Sequence, residues 1–257
     1  MKKRILISND DGIHAKGLKE LYAALKGLGD ITVIAPDEQR SGASHAITIT
    51  AAIKVKKVKF EDTEAIMVKG TPADCVKLGL DVFMKKKPDL VISGINHGPN
   101  TASNMIYSGT IGAATEAAVL GIPAIAASVY SYVEETDFTY SKKIIREIAQ
   151  RVLSGELRPA RYGLLNLNIP YLPESKIKGV KVLPAGTYDY DDHYVVTKTE
   201  SGTFYFLEGM DKTVGKNRNA KGMNDAEAIE KGYVTLTPLH FDLTDYDFLK
   251  KLKRIKI

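Results

Sequence analysis

Short apolar runs alternate with helically periodic stretches through the first two-thirds of the chain. The runs predict strands near 4–8, 31–35, 89–93, 123–128 and 163–168. The stretches between them predict helices over 17–28, 72–84, 110–120 and 138–153. This alternation predicts an α/β fold, a mostly parallel sheet with helices on its faces. Boundary residues agree with it. Thr71-Pro72-Ala73-Asp74 supplies a capping hydroxyl, a proline at the first helical position and an acid at the third. Gly121-Ile122-Pro123 and Ser154-Gly155 stop the helices that precede them.

Residues 44–70 alternate in hydrophobicity, as in Ile47-Thr48-Ile49, which predicts an antiparallel excursion at the sheet edge. Beyond Pro184 the texture changes. Residues 193–198 and 203–207 flank Thr199-Glu200-Ser201-Gly202 and predict a long projecting hairpin, followed by a helix near 224–231 and a strand over 232–238. The expected organisation is an α/β core over 1–184 and a hairpin with a C-terminal segment over 185–257, within one structural domain. A lone ribbon carrying Tyr205 and Phe206 is marginal in water, so a second subunit is the expected cover.

Composition places the chain among globular proteins: 44% of its 257 residues are hydrophobic and 26% charged. No apolar run approaches the ~18 residues of a membrane span, and Met1-Lys2-Lys3-Arg4 leads into no leader-like stretch, so neither membrane nor signal peptide is expected. Cys75 is alone and cannot form an internal disulfide, which fits a cytoplasmic protein. The net charge of +5 raises the question of nucleic acid. The Lys clusters at 54–59, 85–87 and 250–254 read as a strand's wet face, a helix end and a tail, with no accompanying recognition motif. No specific nucleic-acid partner is expected.

In open parallel sheets, ligands bind beyond the carboxyl ends of the strands. Here the first strand runs into Asn9-Asp10-Asp11-Gly12, the second into 37–44, and the third long one into Ser93-Gly94-Ile95-Asn96. Adjacent acids repel unless a cation keeps both ionised. Carboxylate, hydroxyl and amide oxygens converging there form a hard-cation set, suited to Mg²⁺, Mn²⁺ or Ca²⁺ rather than zinc, and the histidines show no ligand spacing. Singly, each of these residues reads as a turn residue. Tyr107-Ser108-Gly109-Thr110 opens a predicted helix with small and hydroxyl-bearing residues, a competent phosphate cradle.

Rival phosphate motifs fail on particular residues. Leu18 follows Gly17 where a Walker loop needs Lys, the dinucleotide fingerprint is missing, and Gly12 stands where an aspartyl-phosphate phosphatase carries its second Asp.

Ser8-Asn9-Asp10-Asp11-Gly12, Ala35-Pro36-Asp37 with Arg40-Ser41, Gly70 through Val76, Ser93-Gly94-Ile95-Asn96-His97-Gly98-Pro99-Asn100, Tyr107-Ser108-Gly109-Thr110 and Gly232-Tyr233-Val234-Thr235-Leu236-Thr237-Pro238-Leu239 together resemble the SurE family. The resemblance implies a Rossmann-like core and a metal-dependent phosphomonoesterase, a 5′-nucleotidase acting on nucleoside 5′- and 3′-monophosphates and on short-chain polyphosphate. It implies one divalent cation per subunit, Mg²⁺ or Mn²⁺, held by Asp10, Asp11, Ser41 and Asn96, with Asp10, Asp11 and Asn96 carrying catalysis. It also implies a homodimer or homotetramer in which hairpins and C-terminal segments are exchanged. Asn9, Ser108, Gly109 and Thr110 are the expected phosphate contacts. One stretch departs from the pattern: Thr101-Ala102-Ser103-Asn104 replaces an expected Gly and then an acid. The alternative reading is a nucleotide-binding regulatory protein that keeps the cleft without turnover.

Overall fold

The structure is a computed structural model that describes residues 2–208, the backbone of 212–215, and 222–255. Its strands in chain order are β1 (Arg4–Ser8), β2 (Asp30–Pro36), β3 (Lys54–Phe60), β4 (Thr63–Lys69), β5 (Leu90–His97), β6 (Ala124–Tyr130), β7 (Gly163–Pro170), β8 (Val180–Val182), β9 (Thr187–Tyr190), β10 (His193–Thr199), β11 (Gly202–Glu208), β12 (Lys212–Gly215) and β13 (Val234–His240). The helices are α1 (Lys16–Leu25), α2 (Pro72–Leu78), α3 (Gly109–Val119), α4 (Thr139–Ser154), α5 (Asp225–Glu230) and α6 (Tyr246–Leu252).

Nine strands form one sheet in the order β3-β4-β2-β1-β5-β6-β7-β13-β8. The pairs β4-β2, β2-β1, β1-β5, β5-β6 and β6-β7 are parallel, while β3-β4 and β7-β13 are antiparallel. Alternation along β1 shows how the two faces are covered. Ile5 and Ile7 pack with Leu18, Leu21, Ile145 and Ile148 of α1 and α4, whereas Leu6 packs with Val76 of α2 and Ala113, Ala114 and Ala117 of α3. All three β1 residues are fully buried, each burial contributing about 2 kcal/mol of transfer free energy. This is the α/β arrangement with a mostly parallel sheet expected from the alternation, and it agrees with the Rossmann-like core that the resemblance implies.

Two local readings change. The edge excursion is the hairpin β3-β4 alone; Ile47, Thr48 and Ile49 lie in a loop, with Ile49 82% exposed. Their alternation has no strand partner because Thr48 spends its N–H and Oγ on Asp74 (2.9 and 2.7 Å). The helix expected over 72–84 is α-helical only to Leu78 and continues as a π-turn over Gly79–Phe83. The C-terminal segment returns to the main sheet, where β13 runs antiparallel to β7 and parallel to β8. The β10-β11 hairpin forms a separate two-stranded sheet with Tyr194, Phe204, Tyr205 and Phe206 exposed. Among the described residues no helix is long and apolar enough to cross a membrane.

Candidate active site

The forward ends of β1, β2 and β5 lie side by side because these strands are sheet neighbours. Beyond β1, the Arg40 N–H donates to Asp10 O (2.7 Å) and the Ile13 N–H to Pro36 O (2.8 Å), which locks the loop after β2 against the first turn. In β5 the register against β6 shifts between Ser93 and Asn96, re-aiming the strand end. The Asn96 amide nitrogen donates to His97 O (3.1 Å) and Gly98 O (2.8 Å), and its Oδ1 is left for a ligand. Before α3, Ser108 Oγ accepts from the Ile111 N–H (3.1 Å) and caps the helix. These loops enclose a cavity of about 1150 Å³ whose walls include Asp10, Asp11, Ser41, Asn96 and Ser108. Asn9, Gly109 and Thr110 do not line it.

Helix α3 does receive an anion at its start, and that anion is Asp10. The Thr110 hydroxyl donates to Asp10 Oδ1, and the backbone N–H groups of Gly109 and Thr110 also favour the charged carboxylate. Gly109 permits the approach: a Cβ there would lie 2.8 Å from Asp10 Cβ. Asn9 ties the turn instead of the acids, its Nδ2 donating to Gly12 O (3.0 Å). Of the expected phosphate contacts, Ser108 alone faces the cavity.

Burial nonetheless raises the Asp10 carboxyl, outweighing the bonds it accepts. Asp11 is pushed up to about 7, first by burial and then by the neighbouring Asp10 charge, against one helping bond from the His97 backbone. Neither acid forms an ion pair among the described residues. A buried and a half-buried acid side by side with no ion-pair partner among the described residues, beside the Asn96 and Ser41 oxygens, fit a hard divalent cation by donor chemistry. Ser41 Oγ accepts from Gln39 Nε2 (2.8 Å) and keeps a further lone pair. No group of three or more His, Cys, Asp or Glu side chains suited to a metal occurs among the described residues. Neutral oxygens must therefore complete such a shell.

The cavity also holds residues that sequence reasoning did not assign. Lys16, at the start of α1, is the cation on its wall. Asn100 is gripped by a buried polar network: its N–H donates to Asn168 Oδ1 (2.8 Å), its Nδ2 to Ser128 Oγ (2.8 Å), and its carbonyl accepts from Asn166 and Asn168 (2.7 and 3.2 Å). The signal for it was present, since Ser128, Asn166 and Asn168 interrupt otherwise apolar strands. His97 stacks on Phe138 with ring centroids 5.3 Å apart and lines the cavity rather than facing open solvent. Tyr107, Tyr132 and Tyr190 add aromatic wall.

At the departure from the family pattern, Ala102 occupies the left-handed region (φ 48°) where glycine was expected. Its N–H is held by Asp225 (3.1 Å). Asn104 lines the cavity in place of the acid, and its Oδ1 accepts from Tyr190 OH (2.7 Å).

A family model described as Survival protein SurE matches residues 5–192. A curated relative from Syntrophomonas wolfei, named 5′-nucleotidase SurE, is 38% identical over 252 residues, covering 98% of this chain and 94% of the relative. One of the same name from Christiangramia forsetii is 41% identical over 257 residues, covering 98% and 96%. Among solved structures, the crystal structure of the SurE protein from Aquifex aeolicus aligns with a TM-score of 0.80 at 38% identity, covering 98% of each chain.

Proposed function

This chain belongs to the SurE family, and from that premise we propose that it is a metal-dependent nucleotidase. Its substrates are nucleoside 5′- and 3′-monophosphates, with short-chain polyphosphate as a further one. The relatives' name supports 5′-nucleotidase activity, and one observation in the site supports the metal dependence. Asp10, buried, and Asp11, half-buried, sit adjacent on a cavity wall with Ser41 and Asn96, and both carboxyls are raised by burial, Asp11 also by the Asp10 charge.

Asp10, Asp11, Ser41 and Asn96 would hold one Mg²⁺ or Mn²⁺ ion, which when bound supplies Lewis-acid polarisation of a phosphoryl oxygen and acidification of water. The remaining roles belong to side chains. Thr110 and the amides of Gly109 and Thr110 fix the direction of Asp10 and offset part of the cost that burial places on its charge. Ser108 keeps its O–H free to donate to a phosphoryl oxygen, since its lone pair takes the Ile111 N–H. Lys16 adds positive charge to a wall otherwise rich in acids and draws in a dianionic phosphate. The tyrosine-lined part of the cavity offers apolar area to a nucleoside.

The subunits associate as a homodimer or homotetramer, a reading supported by the unpaired aromatic hairpin β10-β11. Purified protein incubated with AMP or GMP and Mg²⁺ or Mn²⁺ should release phosphate, and EDTA or Asp10→Ala should abolish the release. Nucleotide binding without release under all these conditions would instead establish a non-catalytic binding protein.

A further inference from the structure

The loop between β2 and β3 lies over the starts of α2 and α3 without joining the sheet. Side chains fix its path. Ser44 donates its N–H to Tyr107 O (3.1 Å) and its hydroxyl to Ile106 O (2.7 Å). The Thr71 hydroxyl donates to Ala46 O (2.7 Å), and Thr48 is tied to Asp74. His45 Nε2 lies 2.8 Å from Glu116 Oε2 on α3. The loop backbone can reach the helix because Gly112 has no side chain; a Cβ there would sit 2.0 Å from Ser44 O.

Glu116 has no part in the chemistry derived above, yet it is a charged side chain only 4% exposed on a helix made mostly of Gly, Ala, Thr and Ile. A buried carboxylate persists only when paired. Its partners are His45 through Oε2 and Lys77 of α2 through Oε1, each at 2.8 Å. Asp74, the other acid under this loop, also belongs to the capping box of α2. Glu116 has no such second duty: one of its oxygens grips the loop and the other is held by a neighbouring helix.

His45 is also close to Ser41 along a stiff stretch. Ala43 N–H donates to Arg40 O (3.2 Å) and Ala46 N–H to Ala43 O (3.1 Å), and the turn passes through positive φ at Gly42 and Ser44. Ser41 itself is exposed, and among the described residues only Gln39 is bonded to its hydroxyl. Its position therefore depends on the Arg40–Asp10 backbone bond before it and, after it, on the two bonds of Ser44 and the side-chain anchor of His45.

We propose that His45 and Glu116 are positioning residues: their contact pins the 41–48 stretch to α3 and so presets Ser41 for the cation site. This rests on the metal-site reading above. Lys77 steadies Glu116 and does not touch the loop.

The full-length protein and the variants His45→Ala, His45→Gln and Lys77→Met test the assignment by three readouts. These are hydrogen exchange in EDTA, Mn²⁺ titration by calorimetry without substrate, and phosphate release as a function of Mn²⁺ concentration. In His45→Ala, amides over 41–48 should exchange about tenfold faster while those of β1 and β5 keep wild-type protection. Mn²⁺ affinity should fall about tenfold, with kcat recovered at saturating Mn²⁺. His45→Gln, which keeps a side-chain donor for Glu116, should restore most of both. Lys77→Met should stay within about twofold of wild type, as expected for a half-exposed ammonium.

Wild-type exchange over 41–48, or wild-type Mn²⁺ affinity, in His45→Ala overturns the proposal. So does a Lys77→Met variant as impaired as His45→Ala, because the effect would then belong to the charge balance of Glu116. If His45→Ala fails to fold, His45→Asn, which draws the donor away from Glu116, takes its place under the same expectations. Exchange and Mn²⁺ binding need no turnover, so a wild-type protein that binds Mn²⁺ but releases no phosphate counts against the nucleotidase reading alone. A wild-type protein that binds no Mn²⁺ overturns the presetting of Ser41.

Discussion

Replacing Asp11 by asparagine should stabilise the metal-free protein while removing a ligand from the proposed cation site. The Asp11 carboxyl is pushed up to about 7 from 3.8 by burial first and by Asp10 second. In the unfolded chain it titrates near 3.8. Between those values the folded chain holds a proton that the unfolded chain has released, so stability falls as pH rises through this window and stays low above it. A rise of this size corresponds to about 4 kcal/mol at about pH 8 with chelator present. The asparagine loses the charge assistance of the bond from the His97 backbone, about 1 kcal/mol, which leaves a net gain of about 3 kcal/mol. For a chain of this size that raises the melting temperature by about 6–12 °C. Calorimetric melts of both proteins in EDTA should show that gap at about pH 8 and a much narrower one at about pH 5. Adding Mn²⁺ should raise the wild type alone. Equal melting temperatures at the higher pH would refute the claim that uncompensated charge is stored at this position.

Other consequences follow from the same contacts. Because Asp11 keeps a proton below about 7, cation binding should release close to one proton near about pH 6, read by calorimetry in buffers of different ionisation heat; no release would contradict the raised carboxyl. Thr110→Val removes the hydroxyl that fixes Asp10 and should weaken Mn²⁺ binding about tenfold without loss of fold, measured by titration and circular dichroism. Asp225→Ala strips the acceptor from the N–H groups of Ala102, Gly186 and Ala226 and should cost about 3 kcal/mol in urea unfolding. Replacing the β10-β11 hairpin with a short Gly-Ser turn should lower the mass seen by light scattering while the sheet stays folded; an unchanged mass would exclude hairpin-mediated assembly.

The sheet was legible because β1, β2, β5, β6 and β7 are buried on both faces, and their apolar runs need no partner's identity to be read as strands. Sheet order was not stated by the runs, but the rule that ligands sit beyond forward strand ends was enough to gather Asp10, Asp11, Ser41 and Asn96 on one cavity wall. Failure came where a local pattern has two physical uses. Ile47-Thr48-Ile49 alternates like a strand, but the polar groups of Thr48 are claimed by Asp74, a residue 26 positions away that no local window contains. The start of α3 was read as a seat for an external anion, and in the fold a carboxyl of the chain itself already lies there. The amides and hydroxyl of Gly109 and Thr110 favour a negative group, and the fold delivers Asp10 to them.

That delivery separates the two aspartates. Asp10 has the helix start and Thr110 to carry its charge, while Asp11 has a single backbone N–H and the field of Asp10. Adjacent in sequence, they are unequal in the fold, and Asp11, raised to about 7, keeps its proton through the acidic range. On the proposed metal-site reading, a cation that binds beside Asp11 meets an Asp10 already oriented by Thr110 and the start of α3.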